Sequence, residues 1–164
     1  MSTRALIEGD PVLVVLRRHD REFPVIPRLI EAARRQDIPI VFALESGQNF
    51  KDQVGRRTND YSIRPPRFSV FFGTELPILL RDLGASTLIL AGGQTSISVH
   101  YSFVDAHQHD YFCRVVEDSM EGSSPAAHEA ALRAMEYMQT GARQNAETVV
   151  AALSAVGQGR RADR

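Results

Sequence analysis

The sequence predicts an α/β protein: a three-layer α/β/α, Rossmann-like sandwich with a mostly parallel sheet. Three observations carry this. Continuous apolar runs of strand length recur along the chain, as strands buried on both faces require. Stretches with apolar residues at helical spacing separate these runs. Strand and helix therefore alternate throughout, the pattern that builds a parallel sheet covered on both sides.

The elements follow in order. "PVLVVL" (11–16) is the first buried strand, and "VIPRLIEAARRQD" (25–37) the first helix. "IPIVFAL" (38–44) is the second strand. Residues 45–73 hold no clean period and are rich in polar residues, Gly and Pro. A loop of that length in a compact domain usually covers a site or packs on a partner. "TELPILLRDLG" (74–84) is a helix with Thr74 as cap and Gly84 as stop. "STLILAG" (86–92) is the third strand, "TSISVHYSFVDAHQHD" (95–110) a helix, and "YFCRVVED" (111–118) the fourth strand. "SPAAHEAALRAMEYMQTG" (124–141) and "AETVVAALSAVG" (146–157) are the closing helices. Residues 1–157 are expected to form one domain, with "QGRRADR" (158–164) as a flexible tail.

Composition narrows the function classes. The 164 residues suit one domain with a sizeable core. A net charge of −1 implies no strong attraction to nucleic acid or to a membrane surface. No apolar run reaches the length of a membrane span. "MSTRALIEGD" lacks a signal-peptide core, so the cytoplasm is the default location. Cys113 is the single cysteine, which rules out an internal disulfide, and its strand context favours a small buried hydrophobe over a reactive thiol. Lys51 is the single lysine, so chemistry that needs an amine has one candidate. No cofactor and no metal are implied.

Ligands of parallel sheets bind at the carboxyl ends of the strands, near the switch in strand order. The residues there are Arg17, Arg18, His19 and Asp20 after the first strand, and Glu45 and Ser46 after the second. Gly92 to Ser98 follow the third, and Glu117 and Asp118 close the fourth. Several motif readings fail on physical grounds. "GTELPILLRDLG" lacks the Gly-Lys-Ser/Thr end of a phosphate loop, and "AGGQTS" lacks a full dinucleotide fingerprint. His107 and His109, two apart on a helix, point in different directions and suit a solvated face better than one metal. His128 suits packing or capping. Ser98 and His100 stand about 200° apart around a helix, the wrong geometry for a nucleophile and its base. Tyr101, Ser102 and Asp105 share a face with Ser98 more closely, but none is a convincing base.

Four stretches together resemble the isochorismatase-like family, also called the cysteine hydrolase superfamily. They are "DPVLVVLRRHDREF", "PPRFSVFFGTEL", "LILAGGQTSISVHYSFVDAHQHDYFCRVVEDS" and "SPAAHEAALRAME", and the likeness covers about residues 10–155. The resemblance implies a hydrolase architecture in which amidases use an aspartate, a lysine and a cysteine, and isochorismatases keep the acid and the lysine. Carried over by position, the aspartate falls on Arg17, or on Leu16 if the match slips by one. The lysine falls on Pro65, with Arg64 beside it, and the cysteine falls on Ser98. The resemblance further implies a cis peptide at Gly93–Gln94, and homodimers or homotetramers.

These replacements are not conservative. Arginine stays protonated and cannot act as the base. A helix start contributes ~0.3–1 kcal/mol, less than one pKa unit at 1.36 kcal/mol per unit, so it cannot by itself activate a serine hydroxyl. The expectation is therefore a silent or altered member. Its pocket would be a small-anion or carboxylate site formed by Gly93, Gln94, Thr95, Ser96 and Ile97, with Glu45, Arg17 and Arg64 nearby, the free amides at 95–98 and the arginines favouring an anion. The alternatives are a hydrolase of a small amide, ester or vinyl ether, and a scaffold. In the hydrolase, Ser98 would work with Glu45, Asp20 or His19, and Lys51 would replace the lost lysine. The scaffold would use aromatics of the long segment (Phe50, Tyr61, Phe68, Phe71, Phe72), although Phe71 and Phe72 suit core filling better.

Overall fold

A computed structural model of the chain describes residues 5–16, 23–44 and 57–162. Six parallel strands form one sheet: β1 (Pro11–Leu16), β2 (Ile40–Ala43), β3 (Tyr61–Ile63), β4 (Thr87–Gly92), β5 (Phe112–Val116) and β6 (Arg143–Gln144). Their order is β3-β2-β1-β4-β5-β6. Five α-helices flank the sheet: α1 (Val25–Arg35), α2 (Leu76–Asp82), α3 (His100–Gln108), α4 (Pro125–Met138) and α5 (Ala146–Ala162). The three-layer reading holds.

Side-chain alternation along the strands divides the core in two. Val12, Val14 and Leu16 of β1 and Leu88 and Leu90 of β4 share one cluster with Leu76, Leu80, Phe103, Leu132 and Met135 of α2, α3 and α4. Leu13 and Val15, with Ile89 and Ala91, share the other with Leu29, Ile30, Val149 and Leu153 of α1 and α5. Every residue of β1 and β4 is buried, which is why both read as unbroken apolar runs. Each fully buried Leu, Ile or Val contributes about 1.5–3 kcal/mol, so these two strands anchor the sheet. Their adjacency matters for function, because the strand order reverses between them.

Local departures from the sequence reading have physical causes. β3 and β6 have three and two residues and only Ile63 among them is buried, so neither carries an apolar run. α2 begins at Leu76, not Thr74. The Thr74 hydroxyl donates to the Val70 carbonyl at 2.6 Å and accepts the Leu76 N–H at 3.3 Å, serving the helix start from just outside it. Gly84 ends α2 with a φ of +65°, as expected of a glycine stop. Phe71 fills the core at 6 % exposure, whereas Phe72 is 61 % exposed, so only one of the two aromatics expected inside is there.

β5 carries a buried arginine. The Arg114 guanidinium donates to the carbonyls of Leu6 at 2.6 Å, Cys113 at 2.9 Å and Ala5 at 3.4 Å, pinning the segment that leads into β1. Beside it Cys113 is fully buried, and burial pushes its thiol up to about 12. Cys113 is thus an inert core residue.

Candidate functional site

The carboxyl ends of β1 and β4 meet at Leu16 and Gly92, which are register partners. A Cβ on Gly92 would stand 2.0 Å from the Leu16 carbonyl oxygen, so only glycine permits this approach. Gly92 and Gly93 have φ of +77° and +74°, a left-handed pair that turns the chain out of the sheet. The Gly92 N–H donates to the Ser119 hydroxyl at 3.0 Å, which donates to the Val116 carbonyl at 2.6 Å. Through Ser119 the end of β4 is tied to the end of β5.

Beyond Gly93 the chain enters a wide π-helical turn, Thr95–Val99, that runs into α3. The Ser98 hydroxyl accepts the Gln94 N–H at 3.1 Å and lies 3.4 Å from the Gln94 carbonyl oxygen. Ser98 therefore closes its own turn over Gly93. A Cβ on Gly93 would lie 2.9 Å from the Ser98 oxygen and 3.0 Å from the Leu16 Cβ. Leu16, Gly93 and Ser98 thus converge at the switch in strand order, the place expected for a ligand site.

The turn uses two of the four amides, 95–98, that the sequence reading left open for an anion. The Thr95 N–H donates to the Glu121 carbonyl at 3.0 Å, and the Ile97 N–H to the Gln94 carbonyl at 3.2 Å. With the Gln94 N–H on Ser98, three N–H groups of this stretch already have partners. The physical reason is the π turn, whose wider loop brings Gln94 within reach of several donors. The peptide between Gly93 and Gln94 is trans, not the cis bond that the family resemblance implied. Gln94 is extended, and the left-handed glycines make the bend instead.

The remaining candidate positions divide. Thr95 is fully buried, and its hydroxyl shares a 2.7 Å hydrogen bond with Nδ1 of His128 on α4. Ser96 faces the other way and lines a cavity of about 400 Å³ on the outer side of α3, with His100, Tyr101, Val104 and Asp105. Ile97 is half-buried. Ser98 and His100 do point apart, as the helical spacing requires. Ser102 donates to the Ser98 carbonyl at 2.6 Å and accepts the Val70 N–H at 3.0 Å, so it supports the backbone of the turn. Arg64 is exposed and Pro65 half-buried, just past β3. β3 lies three strand spacings from β4, roughly 14 Å. Pro65 also has no side-chain nitrogen to stand in for a lysine. Arg17, Arg18, His19, Asp20, Glu45, Ser46, Phe50 and Lys51 lie outside the described residues. Leu16, the other position for the acid, is a buried core side chain.

The acids ending β5 serve the fold. Glu117 accepts from Arg143 Nε at 2.6 Å, and Asp118 accepts the Ala146 N–H at 2.8 Å, capping α5. The same Arg143 forks onto both oxygens of Glu129 at 2.9 Å, and these bonds hold the Glu129 carboxyl below its ordinary value. Among the described residues, no group of three or more His, Cys, Asp or Glu side chains is placed to hold a metal. No helix among them is long and apolar enough to cross a membrane. Ser119 is a site-supporting residue that sequence reasoning missed, and His128, expected to pack or cap, is tied to the turn by a partner that the sequence did not indicate. Their partners, Gly92 and Thr95, are 27 and 33 positions away, and no local pattern signals such pairs.

The family model for the isochorismatase domain matches residues 17–147. The chain belongs to the isochorismatase family. The isochorismatase family protein YwoC of Bacillus subtilis is 34 % identical over 84 residues, which are 51 % of this chain and 44 % of that one. A probable inactive nicotinamidase of Arabidopsis thaliana is 30 % identical over 129 residues, 74 % of this chain and 64 % of that one. The ureidoacrylate amidohydrolase RutB of Azorhizobium caulinodans is 30 % identical over 111 residues, 68 % of this chain and 44 % of that one. The matches thus span less than two thirds of these relatives' lengths. Among solved structures, an isochorismatase-like hydrolase from Alkaliphilus metalliredigens superposes with a TM-score of 0.75 at 20 % identity, covering 88 % of this chain and 99 % of that one. The nicotinamidase PncA of Bacillus subtilis gives 0.68 at 19 % identity, covering 83 % and 98 %. At such identities the likeness is one of fold.

Proposed function

We propose that this isochorismatase-family protein has lost acid–lysine–cysteine chemistry, and that its strand-end site binds a small carboxylate without turning over an amide. The observation that carries the reading is the Ser98 hydroxyl. It occupies the position the cysteine holds by resemblance, and among the described residues its recorded partners are the N–H and C=O of Gln94. A hydroxyl so placed needs a base to become a nucleophile. The acid position falls on Arg17, a permanent cation, and the lysine position on Pro65. A relative described as a probable inactive nicotinamidase fits the same reading.

The preference for a carboxylate rests on charge. Arginine presents a planar fork that matches a carboxylate, and Arg17 directly follows β1. With the Gln94, Thr95 and Ile97 amides used internally, side chains carry more of this recognition. Benzoate, acetate and inorganic phosphate at millimolar concentration test the reading by thermal shift. Stabilisation by benzoate, lost in Arg17→Ala, is expected. No shift with any of the three refutes it.

One observation favours a second reading. The Ser98 proton has only a long 3.4 Å contact to the Gln94 carbonyl, so a base arriving from elsewhere would find it accessible. A serine-dependent hydrolase of a small amide, ester or vinyl ether would then be lost in Ser98→Ala.

A further inference from the structure

The cavity on the outer side of α3 has a volume of about 400 Å³, a size that suits a small molecule. Of its lining, His100, Tyr101, Val104 and Asp105 fall at i, i+1, i+4 and i+5, which is one face of the helix, and Ser96 precedes them by a turn. None of the five is among Leu16, Gly93 and Ser98, which converge at the strand-end site. The Asp105 carboxylate is held in place: Oδ2 accepts the Ser69 hydroxyl at 2.5 Å, and Oδ1 lies 3.5 Å from Gln108 Nε2. A carboxylate has about four acceptor positions, so Asp105 keeps acceptor capacity to spare. Among the described residues no cation pairs with it. Neither the Ser96 hydroxyl nor the His100 ring has a hydrogen-bond partner among them. The Tyr101 ring is 55 % exposed and is braced from one side by Phe68, with centroids 5.5 Å apart.

We propose that this cavity binds a small protonated amine with an apolar, aromatic body. Charge decides the sign of the ligand. Asp105 is the one carboxylate in the lining, and among the described residues no Arg or Lys joins it there. An anion would meet that carboxylate unopposed, whereas an ammonium group donates charge-assisted hydrogen bonds to it. The neighbouring ring decides the body. Tyr101 stands four residues before Asp105, so the two side chains adjoin on the helix surface, about 5–6 Å apart at Cβ. An ammonium group held by the carboxylate therefore lies beside a ring face, which attracts a cation within about 6 Å of its centroid. The apolar part of the ligand then packs on Tyr101 and Val104, and Ser96 and His100 offer hydrogen bonds at the far end of the hollow. Ser69 fixes the carboxylate before the ligand arrives, so binding loses less side-chain freedom. The charge preference is opposite to that of the strand-end site, and the two sites are independent.

2-Phenylethylamine is the probe, with phenylacetate and 2-phenylethanol as the anionic and neutral compounds of similar shape. At pH 8 the amine is protonated, as an alkylammonium group with a pKa near the ~10.4 of lysine. Each compound is titrated into the full chain to about 20 mM and followed by backbone amide NMR shifts. The expected result is saturable shifts at residues 96–105 with the amine, at a dissociation constant on the order of 1 mM, and none there with phenylacetate. Asp105→Asn keeps an acceptor for Ser69 and removes the charge, and should weaken amine binding about tenfold. Tyr101→Leu removes the ring from a side chain that is more than half exposed, so folding is not at stake, and should weaken it about threefold. The amine failing to saturate in the wild type overturns the proposal. So does amine binding that is equally tight in Asp105→Asn, or phenylacetate binding at residues 96–105 as tightly as the amine.

Discussion

Replacing Gly92 with alanine puts a methyl group where β1 and β4 come closest. The added Cβ would lie 2.0 Å from the Leu16 carbonyl oxygen, and real Cβ atoms stay at least 3.0 Å away, so the strand ends must separate by about 1.0 Å. The φ of +77° adds left-handed strain of about 1–2 kcal/mol. Overpacking against a fixed backbone adds ~1–3 kcal/mol, for a total of about 2–5 kcal/mol. Gly84→Ala is the internal control. Gly84 has a similar φ of +65° but nothing within 4 Å of the new methyl, so it isolates the strain at ~1–2 kcal/mol. Urea unfolding of both variants gives the difference, with Gly92→Ala expected to be about 1–3 kcal/mol less stable than Gly84→Ala. Equal losses in the two variants would mean that the strand ends do not approach as described, and the site geometry built on Leu16 and Gly92 would fall with them.

Other expectations follow from side chains away from the site. Arg114→Met strips the charge-assisted bonds from the carbonyls of Leu6 and Ala5, so a loss of about 2–4 kcal/mol and faster proteolysis before β1 are expected in pulse-proteolysis assays. The Cys113 thiol is raised in the folded state, so folding binds a proton relative to the unfolded chain above the ordinary value of 9.0. Stability should therefore be full below pH 9 and fall by up to about 1.4 kcal/mol per pH unit towards pH 12. In Cys113→Ala this component of the slope should be absent, which denaturant titrations at pH 8, 10 and 11 would show. At pH 8 iodoacetamide should leave the native chain unmodified and label Cys113 only after unfolding.

The parts of the fold that are legible in the sequence are those whose burial is complete. β1, β2 and β4 each coincide with an apolar run and β5 with one interrupted by Arg114, and Gly84 coincides with the end of α2. β3 and β6 join the sheet with little buried side-chain surface, Ile63 being their one buried residue, and no hydrophobic pattern marks them. At the site, the position of Ser98 is legible and its environment is not. Helical periodicity places it in a first turn, but a π turn and an α turn have nearly the same sequence signature. The difference decides whether the amides of Gln94, Thr95 and Ile97 face a ligand or acceptors within the protein. The same holds for Phe71 and Phe72, adjacent residues of identical type, one in the core and one in solvent because the loop is pinned at Ser69 and Val70.

The role of Ser98 is tested most directly by ammonia release from nicotinamide and ureidoacrylate, the substrate classes named for the relatives, by the wild type and Ser98→Ala side by side. A silent site gives no release above the Ser98→Ala background with either compound. Turnover by the wild type that Ser98→Ala abolishes would make Ser98 a working nucleophile and contradict the reading of a lost hydrolase.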